Sequence, residues 1–176
     1  MKTGTVLVTG ITVFGMLAFS ALAQQTRGTA QRLAGSDDTF MNKAAQGGMA
    51  EVELGQLAQQ RASNSAVKEF GTRMVNDHTT VNNELKSIAA KENVTLPTSL
   101  DAKDQATYDR LSKLSGADFD RAYMSDMVKD HTADISEFKK EASSGNDPQV
   151  KAFASKALPT LESHLKQAKS VNDKVK

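Results

Sequence analysis

The sequence predicts an all-α protein built on four long helices, and three observations lead there. Alanine, leucine, lysine, glutamate and glutamine, which favour helix, are plentiful, and tryptophan is absent. No segment alternates polar and apolar residues over the length of a strand. Apolar residues instead recur at steps of three and four in four long stretches, the period of an amphipathic helix.

The first 23 residues read as an address rather than as part of the fold. Lys2 gives a positive start, residues 6–22 are apolar and uncharged, and Ala21-Leu22-Ala23 is a small-x-small cleavage site before Gln24. This is the pattern of a cleaved secretory signal peptide. The apolar run is short for a membrane span, and polar sequence follows it. A periplasmic or secreted protein is expected, with no membrane span after cleavage behind Ala23. Without Lys2 the basic and acidic residues balance at 21 each, which leaves no electrostatic footprint for nucleic acid. The chain has no cysteine, so disulfides, thiol catalysis, cysteine-bound zinc and lipid attachment through cysteine are excluded.

Residues 24–36 are polar, contain Gly28 and Gly35, and are expected to form a flexible lead-in to a bundle over residues 37–172. Ser36-Asp37-Asp38 offers capping oxygens, and the first helix is expected over residues 39–62. Its stripe of Ala44, Gly48, Glu51, Gly55, Ala58 and Ala62 would let a neighbouring helix approach closely. Glu53 shares its face with Gln46, Gln56 and Gln60 and reads as solvated. Ser63-Asn64-Ser65 is a turn and cap.

The second helix is expected over residues 66–92, with Val67, Phe70, Met74, His78, Val81, Leu85 and Ile88 on one face. Pro97 ends that region, and residues 101–115 read as a short helix stopped at Gly116. The third long helix is expected over residues 117–143, with Met124, Met127, Val128, His131, Ile135 and Phe138 inward. Asp147-Pro148 is a cap followed by a first-turn proline. The fourth helix, residues 148–171, carries Val150, Ala154, Ala157, Leu161, His164, Ala168 and Val171, and Pro159 should kink or divide it. Residues 173–176 are a short basic tail.

Four long helices with one long crossover after the second make the connectivity of a ferritin-like bundle. In that arrangement the second and third helices run parallel, so equivalent positions lie at equal heights. One stretch is written on both. Met74-Val75-Asn76-Asp77-His78-Thr79 returns 53 residues later as Met127-Val128-Lys129-Asp130-His131-Thr132. His78 and His131 should therefore share a level, with Glu51 and His164 within a turn or two of it.

All three histidines of the chain fall in apolar stripes, on three different helices. One reading of this layer is a metal site. Imidazole binds zinc, copper, iron or nickel, and Glu51 adds carboxylate oxygen. Asp77 and Asp130 read either as ligands or as acceptors that orient imidazoles. A copper variant pairs each imidazole with a thioether one turn away, Met74 with His78 and Met127 with His131. The other reading is a buried polar network that fixes helix register in a non-catalytic envelope stress or interaction protein. An enzyme is the third reading, behind these two. No Glu-x-x-His precedes any histidine, as di-iron sites require, and no Ser-His-Asp order or phosphate loop is present. The 53-residue repeat relates the second helix to the third, whereas ferritin-type symmetry relates the first pair to the last pair.

Several motifs, in order, resemble a known family. They are Phe40-Met41 with Ala44-Ala45, the Gly48 to Gly55 run, both Met-Val-x-Asp-His segments, Ala117-x-Phe119-Asp120-x-x-Tyr123, and Leu158-Pro159-Thr160-Leu161-x-x-His164. They are similar to the exported bacterial domain-of-unknown-function family 4142, often labelled outer-membrane or exported protein. The resemblance implies a ferritin-like four-helix bundle, exported, with no established activity. An outer-membrane barrel does not fit, since barrel-type alternating strands are missing.

Overall fold

A computed structural model of the chain describes Met1 and residues 17–176, with side chains from residue 35 onward. Most of the expected leader lies outside the described residues. The helices are α1 (Leu17–Arg61), α2 (Ser65–Lys91), α3 (Ala102–Leu111), α4 (Gly116–Ser144) and α5 (Pro148–Val175). No strand occurs among the described residues. No described helix is long and apolar enough to cross a membrane.

Residues 34–176 form the unit that carries the core. Short loops join α1 to α2 and α4 to α5, and α3 lies in the long crossover between α2 and α4. This is the four-helix bundle that the apolar periodicity predicts. Asn64 and Asp147 cap α2 and α5, accepting from Ala66 N and from Gln149 N and Val150 N. Asn93, at φ 57°, follows the end of α2 in the left-handed region that asparagine tolerates. Gly116 takes the same region at φ 61°.

Two local expectations are corrected, and a third loses one of its two alternatives. Residues 24–36 lie within α1 rather than in a flexible lead-in, because no proline or capping break interrupts the helix before Asp37. Asp37 therefore does not start a helix. Its buried carboxylate serves the far loop, accepting from Asn146 N, Asn146 Nδ2 and Asp147 N at 2.6–3.2 Å. Third, α5 runs undivided through Pro159. Buried Ala157 and Leu161 on either side of the proline hold the helix against the core.

Asp120 does on α4 what Asp37 does on α1. It accepts from Ser63 N, Ser63 Oγ and Asn64 N at 2.5–3.1 Å. Each hairpin thus sends one buried aspartate to the loop of the other. This reciprocity reveals a second repeat, of 83 residues. It pairs Asp37 with Asp120, Phe40 with Tyr123, Met41 with Met124, the cap Asn64 with the cap Asp147, Val67 with Val150, and Phe70 with Phe153. The bundle is a two-fold arrangement of helical hairpins, the symmetry that the 53-residue repeat seemed to contradict.

The small-residue stripe of α1 does bring α2 close. A Cβ on Gly55 would stand 2.7 Å from Gly71 O, and one on Gly71 would stand 2.8 Å from Ala58 Cβ. The core divides into two apolar clusters. One contains Leu54, Met74, Met127 and Ala168, and the other contains Ala45, Leu85, Ile135 and Leu161. On each long helix one residue lies between them in sequence: Glu51, His78, His131 or His164.

Candidate metal centre

The four residues between the apolar clusters meet in space. Glu51 and the three histidines are each at most 4% exposed. The three ring centroids are 5.2–5.8 Å apart. The equal heights expected of His78 and His131 are therefore realised, and His164 joins them from α5.

The partners of each ring fix where its hydrogen sits. His78 Nδ1 lies 2.8 Å from Glu51 Oε2, an acceptor, so Nδ1 carries hydrogen. His131 Nδ1 lies 3.0 Å from the Met127 carbonyl oxygen and 3.2 Å from Glu51 Oε1, again acceptors only. That hydrogen is directed at Met127, which leaves Glu51 Oε1 without a hydrogen bond. His164 Nε2 donates to Asp77 Oδ2 at 2.8 Å. Asp77 is held in turn by Arg73 Nε at 3.1 Å, and Arg73 reaches across to Gln167 and Ser163 on α5.

Three nitrogens remain: His78 Nε2, His131 Nε2 and His164 Nδ1. In neutral rings each is a lone pair. His131 Nε2 and His164 Nδ1 are 3.3 Å apart, so two acceptors face each other. His78 Nε2 is buried without any partner. One nitrogen from each ring lies within 4.8 Å of the others. The three rings could hold a cation between them.

Electrostatics divides the rings. Burial alone would raise the Glu51 pKa, but the charges of His78 and His131 and the His78 hydrogen bond outweigh it and hold the group at about 2. Burial pulls His78 down, yet the Glu51 charge and hydrogen bond leave it raised. His131 is lowered by burial. His164 is lowered to about 4, by burial first. Burial works to raise Asp77, but hydrogen bonds from His164 and Arg73 leave it lowered. At neutral pH His131 and His164 are therefore neutral and available as ligands.

Not every expected residue joins the rings. Asp130 does not hydrogen-bond an imidazole; its carboxylate lies with Glu51 and Asp134. Asp77 reaches His164 on α5 rather than His78 beside it in sequence. Sequence reasoning missed Arg73, four residues before Asp77, and Asp134, four after Asp130. Both offsets place a residue on the face of its partner.

The 83-residue relationship also explains an adjoining cavity of about 40 Å³. Gly48 corresponds to His131, Val81 to His164 and Leu161 to His78, and all three line it. Glu51 and Asp134, which correspond to each other, line it as well. The two halves of one layer thus differ: imidazoles fill one side, and small or apolar residues leave space on the other.

Comparison with known proteins agrees with this fold. The family described as "Domain of unknown function (DUF4142)" matches residues 22–171, and the chain belongs to that family. A solved structure, titled a crystal structure of a DUF305 fragment from Deinococcus radiodurans, is similar with a TM-score of 0.70 at 12% identity. The match covers 79% of this chain and 96% of that one, and at this identity it speaks for the fold alone. No curated protein matches the chain.

Proposed function

We propose that this member of the DUF4142 family is an exported bundle that binds one transition-metal ion through His78, His131 and His164. One observation carries the reading: each ring is anchored through one nitrogen, His131 Nε2 and His164 Nδ1 face each other without a donor, and a nitrogen of buried His78 lies within 4.8 Å of the group. Glu51, the Met127 carbonyl and Asp77 act as anchors that orient rings and raise their basicity, the usual surroundings of a ligating histidine. Two nitrogens on a tetrahedral ion at about 2.0–2.1 Å stand about 3.3–3.4 Å apart. The His131–His164 separation of 3.3 Å suits that. Neutral imidazoles suit zinc, copper and iron. Glu51 supplies negative charge beside the rings, while that of Asp77 is shared with Arg73. Export follows from the leader pattern.

The test is metal content and melting temperature. The chain from Gln24 onward is purified without an affinity metal and given zinc, copper and iron in turn. A near-stoichiometric ion that raises the melting temperature, and is lost in His78→Ala/His131→Ala, supports the site. If the layer serves only to fix register, no ion is taken up, and the double variant loses stability alone.

A further inference from the structure

Glu51 faces a second group besides the imidazoles. One carboxylate oxygen from each of Glu51, Asp130 and Asp134 lies within 4.8 Å of the other two. Glu51 is 1% exposed, and its Oε1 accepts no hydrogen bond. Among the described residues no hydrogen bond or ion pair reaches Asp130 or Asp134. Lys103 of α3 lines the nearby cleft, and its charge offsets only part of what burial and the Glu51 charge do to raise both aspartates. Three carboxylates this close repel, strongly so where one is buried away from water. A buried glutamate oxygen with no hydrogen bond, on a carboxylate grouped with two others, calls for a positive partner.

We propose that Glu51, Asp130 and Asp134 form an all-oxygen site for a hard divalent cation of the manganese, magnesium or calcium class. The donor set decides the class: carboxylates without nitrogen or sulfur suit hard ions, whereas imidazoles suit softer transition metals. The span fits one ion, because oxygens on opposite sides of calcium stand about 4.6–5.2 Å apart. The cluster can be reached from two sides. The cavity of about 40 Å³ is lined by Glu51 and Asp134, and an open cleft of about 320 Å³ beneath α3 is lined by Asp104, Asp126 and Asp130. Glu51 would join the two centres, its Oε2 holding His78 while its carboxylate also belongs to the acidic group. The site does not depend on the imidazoles being occupied.

Manganese, read by the loss of the free aquo-ion signal in electron paramagnetic resonance, is the probe. The full chain is produced with its own leader, purified in its exported form and stripped with chelator. One Mn²⁺ per chain is expected in the wild type and in His78→Ala/His131→Ala. Asp130→Asn/Asp134→Asn should weaken it at least tenfold while zinc binding at the imidazoles persists. Without any cation this second variant should melt above the wild type, because repulsion is relieved, which also shows that it folds. Absence of Mn²⁺ binding in the folded wild type overturns the site. So does binding that survives Asp130→Asn/Asp134→Asn, or that vanishes in a folded His78→Ala/His131→Ala variant.

Discussion

His131 Nε2 faces His164 Nδ1 across 3.3 Å, and the hydrogens of both rings are already committed, to Met127 on one side and Asp77 on the other. Only an added proton or an ion makes the contact favourable. Burial lowers the pKa of both rings, so a proton is a poor solution at neutral pH.

Proton competition should therefore come from His78, the ring whose pKa is raised. Below that pKa a proton occupies Nε2 and must leave before an ion binds. Metal affinity should climb about tenfold per pH unit as pH rises toward the pKa of His78, then level off. Titrations across pH 5 to 8 check the slope. His78→Ala should flatten the profile as well as weaken binding.

Glu51→Gln tests the anchor. The amide keeps the size but replaces one oxygen with a donor: turned to His78 it strips the Nδ1 hydrogen of its acceptor, and turned the other way it stands against the His131 Nδ1 hydrogen, which stays on Met127. An unsatisfied buried group costs about 1–3 kcal/mol. Loss of an orienting carboxylate typically costs about 10–100-fold in metal affinity. Chemical denaturation and metal titration should both register the change, whereas Glu53→Gln, on the exposed face, should leave both unaltered.

The two loop locks offer a prediction about symmetry. Asp37→Ala strips the acceptor from Asn146 N and Asp147 N, and Asp120→Ala strips it from Ser63 N and Asn64 N. Each should cost about 1–3 kcal/mol. The two aspartates serve different loops and share no partner, so the double variant should show the sum within about 0.5 kcal/mol. A large deviation in urea midpoints would mean that the hairpins are not independent units.

How much of this was legible in the sequence depends on the range of each interaction. Helix faces follow from local periodicity, and all seven residues assigned inward on the last helix are buried. The shared level of His78 and His131 followed from a repeat in which identity survives. The 83-residue repeat was harder to see, because its equivalent residues keep size and polarity but seldom identity, as with Phe40 and Tyr123. Asp37 looked like a helix cap because capping and long-range anchoring ask the same thing of a carboxylate: to accept from free backbone N–H groups. Which aspartate meets which histidine was not legible. It depends on helix rotation, which placed Asp77 toward His164 on α5 and Asp130 toward Glu51 and Asp134.

Glu141 gives the last prediction, away from the centre. It is 6% exposed, with Oε1 unpartnered. Burial first, then the charge of Asp37 and the hydrogen bond to it, raise its pKa to about 7. A carboxyl raised in this way stabilises the fold while protonated, so its contribution is whole below about pH 4.5 and fades as pH rises to 7. Each pKa unit corresponds to about 1.4 kcal/mol. Glu141→Gln retains a donor toward Asp37 and removes the charge. It should raise stability by about 1–3 kcal/mol at pH 8 and change it little at pH 4.5. His78 also has a raised pKa, so the metal-free wild type should lose stability from two sources as pH rises. Melting curves of Glu141→Gln with and without the bound ion separate them: the variant removes the Glu141 part in both, and the ion removes only the His78 part. A variant that gains nothing at pH 8 would mean that Glu141 is ionised in the fold at that pH without cost.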